Sequence, residues 1–200
     1  MEIDMKALIL SLAIFLLTAV PSLAKGPVRT IEGLVTKVSD GDTITVIADK
    51  AKLKVRLYGI DAPELEKTNC RTGRISKAGQ PYGDEAFQVL RNKVYGRLVT
   101  LEVMNIDRYR RLVAIVWLGS GNINREMVRQ GLAWAYREYL ARPYASEYLD
   151  AEDRARKDGL GLWRQFNPIP PWEFRKQLRK GRAIADRCKP TTGIRVVNYQ

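Results

Sequence analysis

The chain has 200 residues with 34 Lys and Arg against 22 Asp and Glu, a formal charge of +12, and no histidine. That length bounds it to one domain with small extensions, and the charge favours a polyanionic partner, nucleic acid first. The missing histidine excludes Ser-His-Asp and Cys-His catalysis and every histidine-metal site. Hydrolytic chemistry would have to run on carboxylates, Arg, Lys, Tyr and a hard metal. The two cysteines, Cys70 and Cys188, lack the spacing of a zinc site.

The chain starts with Lys6 ahead of an apolar run from Ala7 to Val20, followed by Pro21-Ser22-Leu23-Ala24. This reads as a signal peptide, residues 1–24, with small residues placed for a cut after Ala24. The run is short for a membrane span, which needs roughly 20 apolar residues. The expectation is therefore an exported protein, periplasmic or secreted, that meets a membrane only transiently. Removing the segment takes away Lys6, Glu2 and Asp4, which leaves the remainder more basic still.

The alternation of Ile31 to Val38 predicts a first strand, Asp40-Gly41-Asp42 a turn, and Thr43 to Ala48 a second strand. A third strand runs from Leu53 to Ile60, with Leu53, Val55 and Leu57 on one face and Lys54, Arg56 and Tyr58 on the other. Residues 65–80 are polar and aperiodic, and a loop of that length is usually functional. Phe87, Leu90 and Val94 predict a helix over Asp84–Tyr95 ended by Gly96. Strands follow at Leu98–Val103 and Leu112–Leu118. A second helix spans Ile123–Ala133 with Asn122 as cap, and a third spans Ser146–Asp158 with Ser146 as cap and Gly159 as stop. The prolines of Asn167-Pro168-Ile169-Pro170-Pro171 break the chain, and a short basic helix is expected over Trp172–Lys180. The expected organisation is thus a domain over residues 25–166 and a basic extension over 167–200. The fold class is α+β: a five-stranded Greek-key barrel of the OB type with about three packed helices.

Phosphodiester hydrolysis requires charge neutralisation at the phosphoryl oxygens and an activated water. The candidate groups cluster at strand edges. Asp40 and Asp42 flank Gly41, and Asp61 and Glu64 flank Ala62-Pro63 just after the third strand. Their oxygens suit Ca²⁺ or Mg²⁺. Arg56, and an arginine from Asp107-Arg108-Tyr109-Arg110-Arg111, would clamp phosphate in a planar fork. Each motif alone has a plainer reading, as a turn, a strand exit or a solvated hairpin. Trp117, Trp134 and Trp163 read as core packing, and the basic segment from Arg175 to Arg187 as a solvated helix face or, alternatively, a grip on nucleic acid.

Taken in order, D-G-D-T (40–43), V-R-L-Y-G-I-D-A-P-E (55–64), P-Y-G-x-E-A (81–86), D-R-Y-x-R (107–111), V-R-Q-G-L-A (128–133) and G-L-W (161–163) resemble the staphylococcal nuclease (thermonuclease) family over roughly residues 28–165. The resemblance implies a Ca²⁺-dependent nuclease, a monomer, that cuts DNA and RNA with little base preference and leaves 3′-phosphate ends. By position it implies Asp42, Asp61 and the Ala62 carbonyl as metal ligands, with Asp40 as a supporting acid. Glu64 would orient or deprotonate the attacking water, and Arg56 and Arg111 would act on the phosphate. Arg108 and Tyr109 would contact the nucleic acid, and Tyr136 and Tyr139 lie near the family's base-stacking tyrosines. The family usually has glycine where this chain has Arg110, so a turn needing positive φ would be strained there by about 1–2 kcal/mol. The alternative is an OB-type binding module without catalysis, for which the full set Asp42, Arg56, Asp61, Glu64 and Arg111 would have no use. An oxidising destination makes a Cys70–Cys188 disulfide a further expectation.

Overall fold

The computed structural model describes residues 26–187, with side chains through Gly181. The 1–24 segment and Cys188 lie outside the described residues. Cys70 is exposed on its loop. No described helix is long and apolar enough to cross a membrane.

Strands β1 (Arg29–Asp40), β2 (Thr43–Ala48) and β3 (Ala51–Leu57) form an antiparallel meander. Two-residue strand β4 (Ile60–Asp61) follows, and the 65–80 loop carries a small hairpin, β5 (Lys67–Thr68) and β6 (Ile75–Lys77). Helix α1 (Gly83–Val94) leads to β7 (Leu98–Ile106) and β8 (Leu112–Leu118). β7 pairs antiparallel with both β1 and β8, and β8 pairs parallel with β3 through Val55↔Leu112 and Arg56↔Val113. That parallel seam closes a five-stranded barrel of OB topology. β8 is extended by β9 (Gly121–Asn122), and β10 (Trp134–Ala135) pairs with β4. The helices after the barrel are α2 (Ile123–Arg129), α3 (Ala145–Lys157) and α4 (Pro171–Arg187).

Each strand turns its alternate residues inward. Val35, Ile44, Val46, Val55, Leu57, Leu101, Ala114 and Val116 are fully buried inside the barrel or at its ends. Ala86, Leu90 and Val94 of α1 lie one or two turns apart and bury one stripe against that core. Burying each such aliphatic side chain contributes about 1.5–3 kcal/mol.

Several expectations shift in detail: the third strand ends at Leu57 with Ile60–Asp61 a separate strand, and the last helix spans Pro171–Arg187 rather than Trp172–Lys180. Asn122 does cap α2, accepting from the Arg125 N–H at 2.9 Å, but the helix ends at Arg129 rather than Ala133. Residues 134–135 are needed as the strand that pairs with Asp61 and Ile60. α3 starts at Ala145 after Tyr144, and Ser146 does not cap it. Its hydroxyl lies within the first turn and donates to the Pro143 carbonyl at 3.4 Å.

Two buried polar side chains hold this framework. Asn124 is fully buried; its amide donates to the Tyr58 and Ala114 carbonyls at 2.9 and 3.0 Å and accepts from the Val116 N–H at 2.9 Å. It ties β8 to the turn after β3. Asn124→Ala would take this partner from the Tyr58 carbonyl and the Val116 N–H, while the Ala114 carbonyl keeps the Tyr58 N–H at 2.8 Å, and the expected loss is about 2–4 kcal/mol, read from the midpoint of urea unfolding. A loss under about 1 kcal/mol would show that water replaces the amide. Glu152, also fully buried, accepts from the Ala135 N–H at 3.0 Å and from Arg137 at 3.2 Å, fixing β10 to α3.

Candidate active site

The site forms where the β1–β2 turn, the end of β3, strand β4 and the start of the 65–80 loop meet. Gly41 makes this approach possible: a Cβ there would lie 2.7 Å from the Ala62 Cβ and 2.8 Å from the Ala86 Cβ. Gly83 does the same for α1, since its Cβ would lie 2.2 Å from the Glu64 carbonyl oxygen. The two glycines let the aspartate turn and α1 close on the Asp61–Glu64 segment.

Asp42 is buried, and its carboxylate accepts three hydrogen bonds. Oδ1 accepts from Arg56 Nη1 at 2.8 Å and from Thr43 Oγ1 at 3.0 Å, and Oδ2 accepts from the Ala62 N–H at 3.0 Å. Asp61 is fully buried and accepts from Arg56 Nη2 at 2.6 Å. One guanidinium thus bridges the two aspartates that the sequence placed 19 positions apart. Burial drives the Asp42 carboxyl upward, but the Arg56 charge and the Ala62 N–H outweigh it and hold it below its ordinary value. Asp40 bears the opposite result. Burial first, and the adjacent Asp42 charge second, push it up to about 7. Arg56 is held protonated more firmly than a free arginine: burial opposes its charge, and Asp42 and Asp61 more than compensate.

Glu64 is buried at the mouth of this cluster. Its N–H donates to Gln80 Oε1 at 3.1 Å, and its carbonyl accepts from the Gln80 N–H at 2.8 Å. Its Oε2 is paired with Lys77 of β6. The hairpin in the long loop thereby reaches the carboxylates.

A residue that sequence reasoning left on a solvated face lies in the centre of the site. Arg175 of α4 donates through Nη2 to Asp61 Oδ2 at 2.7 Å, and through Nη1 to Asp61 Oδ1 at 3.2 Å and to Glu64 Oε1 at 2.9 Å. Trp172, one turn earlier, stacks on Tyr136 with ring centroids 5.1 Å apart and planes within 2°. It also meets Trp134 edge-on at 5.7 Å. The sequence signal for this was only the i, i+3 spacing of Trp172 and Arg175 after a proline break.

The second arginine cluster stands apart. In the β7–β8 turn Asp107 accepts from the Tyr109 and Arg111 N–H groups, each at 2.9 Å, and from Arg111 Nε at 2.7 Å. Arg111 is two residues before Val113, the β8 partner of Arg56, so strand alternation sets it on the same side of the seam. No hydrogen bond joins it to Asp42 or Asp61 among the described residues. Tyr109 is 65 % exposed, with the guanidinium groups of Arg108 and Arg111 over its ring at 4.9 and 5.4 Å. Arg110 has φ of 61°, the left-handed conformation that glycine would take without strain. Trp134 is buried and packs edge-on against Trp163 at 4.4 Å, while Trp117 is only half-buried.

The residues fit a hard divalent cation by donor chemistry. Asp42, Asp61 and the Ala62 carbonyl offer oxygen only, and the Asp42 charge that adds to burial in raising Asp40 is one that a divalent cation would offset. Among the described residues no three acidic side chains converge on one point. The reason is visible in the ion pairs: Arg56 lies between Asp42 and Asp61, and Arg175 between Asp61 and Glu64.

An OB barrel with buried carboxylates and arginines at one edge defines a phosphate-handling protein of the nuclease type. Residues 54–165 match the family described as "Staphylococcal nuclease homologue". An "Uncharacterized endonuclease" of Haemophilus influenzae is 39% identical over 159 residues, covering 79% of this chain and 80% of that protein. A "Micrococcal nuclease" of Shigella flexneri is 33% identical over 173 residues, covering 82% of this chain and 88% of that protein. "Protein ParB" of Escherichia coli is 35% identical over 161 residues, covering 76% and 83%. The chain belongs to the staphylococcal nuclease family.

Proposed function

We propose that this chain is a calcium-dependent endonuclease that hydrolyses phosphodiester bonds of DNA and RNA with little sequence preference, acting as a monomer after export. Family membership and the endonuclease names of the relatives support the nuclease activity. The observation that carries the reading further is the Asp42–Arg56–Asp61 bridge with Glu64 at its mouth. A binding module needs no buried, mutually repelling acids, which cost stability unless used.

In this reading Asp42, Asp61 and the Ala62 carbonyl hold Ca²⁺, and Asp40 supports them. When bound, the cation supplies Lewis-acid stabilisation of the phosphoryl oxygens. Glu64 takes a proton from the attacking water, whose oxygen bonds to phosphorus. The P–O5′ bond breaks and the 5′-oxygen takes up a proton, leaving a 3′-phosphate. Arg56 and Arg111 neutralise the charge that grows on the phosphoryl oxygens. Arg108 and Tyr109, exposed on the β7–β8 turn, grip the neighbouring nucleotides. Export through the 1–24 segment, to periplasm or medium, and a Cys70–Cys188 disulfide belong to the same proposal.

Cleavage of supercoiled plasmid and of a mixed-sequence RNA, each with Ca²⁺ or with a calcium chelator, tests it. The expected result is cleavage of both with Ca²⁺, none with chelator, and 3′-phosphate ends. Binding without cleavage in Ca²⁺ would overturn the enzyme reading in favour of the binding module. Undiminished cleavage in chelator would overturn the calcium assignment.

A further inference from the structure

Helix α4 meets the domain through its first turn and a half. Pro171 is buried and Trp172, Phe174 and Arg175 are half-buried, whereas Lys176, Gln177, Arg179, Lys180 and Gly181 are exposed. Among the described residues the hold is therefore a few side chains. Trp172 lies on Tyr136, and Phe174 lines a pocket with Pro63, Pro81 and Ile169. Arg175 lies on the carboxylates. The linker ahead of it is tied by Gln80, whose amide donates to the Ile169 carbonyl at 2.9 Å.

The lone-pair accounting at Asp61 is tight. Oδ1 accepts from both Arg56 and Arg175, and Oδ2 accepts from Arg175. Glu64 is likewise committed, Oε1 to Arg175 and Oε2 to Lys77. A cation on Asp61, or a water delivering its proton to Glu64, needs the positions that the Arg175 guanidinium holds. A second observation, independent of charge, points the same way. Tyr136 sits beside β4, its N–H donating to the Gly59 carbonyl, and its ring face is covered by a parallel aromatic ring at stacking distance. That is how an unpaired base lies on an aromatic platform. Trp172 and Arg175 are one turn apart on the same face of α4, so one helix supplies a base-like ring and a cation in register with the site.

We infer that α4 is an internal competitor of the nuclease site: Arg175 occupies Asp61 and Glu64 in place of the divalent cation and water, and Trp172 occupies Tyr136 in place of a nucleobase. The inference rests on the calcium-dependent reading above. Among the described residues, release requires that the side chains of the first turn and a half let go while the Gln80–Ile169 tie keeps the linker in place. Such a locally held element opens without unfolding the domain. Cation and single-stranded nucleic acid each bind only the open form, so the closed population lowers the apparent affinity for both and makes each favour the other's binding.

The test uses the full exported chain and measures binding, separately from turnover. Calcium affinity is measured by calorimetry, and affinity for a single-stranded oligothymidylate by fluorescence anisotropy, in wild type, Arg175→Gln, Arg175→Lys and Trp172→Ala. Arg175→Gln is expected to tighten calcium binding by about 10- to 100-fold. Arg175→Lys, which keeps the charge without the planar fork, is expected to fall between wild type and Arg175→Gln. Trp172→Ala is expected to tighten oligonucleotide binding by about tenfold and calcium binding in the same direction. Thermal unfolding of each variant identifies any that fails to fold, and the Trp172→Ala arm stands independently of the Arg175 arms. Unchanged or weaker calcium binding in folded Arg175→Gln, with wild-type binding that still depends on Asp42, would overturn this inference and leave the calcium reading intact. Absence of calcium binding in wild type and every variant would overturn both.

Discussion

Arg56→Ala is expected to lower kcat by on the order of 10²–10³-fold, with a much smaller change in KM. Two effects combine. The guanidinium that would meet the growing phosphoryl charge is gone, and the bridge between Asp42 and Asp61 is gone with it. Left unbridged, two buried carboxylates repel, so the variant also shifts their protonation upward. Arg56→Lys separates the two contributions. Lysine keeps one charge but cannot donate to both aspartates at once in a planar fork. If the bridge geometry matters, Arg56→Lys recovers less than about a tenth of the lost rate. Single-turnover cleavage at saturating Ca²⁺ reads this directly. A change confined to KM would reassign Arg56 to substrate binding.

On the calcium reading, Asp42→Asn is expected to weaken calcium binding by on the order of 10²-fold, because a site of few protein ligands would lose one of its charges. The substitution is nearly isosteric. The amide oxygen can still accept from the Ala62 N–H, so the β1–β2 turn keeps its packing through Gly41. Calorimetry of Ca²⁺ binding, alongside thermal unfolding to confirm the fold, measures it. Wild-type affinity in Asp42→Asn would remove Asp42 from the ligand set.

The barrel was legible because its strands alternate and its turns carry Asp-Gly-Asp and Asp-Lys, signals that are local and periodic. Asp42, Arg56 and Asp61 were legible for a similar reason, since each sits at the end of a strand whose direction the pattern sets. Arg175 was not. Its contacts with Asp61 and Glu64 span 114 and 111 positions, and a basic helix face is ordinarily solvated, so nothing local marks one arginine among several. Asn124 and Glu152 were missed because a buried polar residue interrupts the periodicity that reading depends on, and its partners are backbone groups on other elements. Arg110 shows the converse. Its φ of 61° was anticipated from a departure in one motif, and the strain lies in a turn stapled by Asp107.

The parallel seam between β3 and β8 joins residues more than fifty positions apart, Val55 to Leu112. Such a pairing forms late, after the intervening chain has been ordered. Until it forms, Arg56 has no neighbouring strand on that side and the β7–β8 turn with Arg111 has no fixed relation to it. Trp134 and Ala135, which must arrive later still, supply the pairing that anchors Asp61. A newly synthesised chain therefore passes through most of its length without an assembled site. The assembled site of this nuclease arrives only with the completed topology.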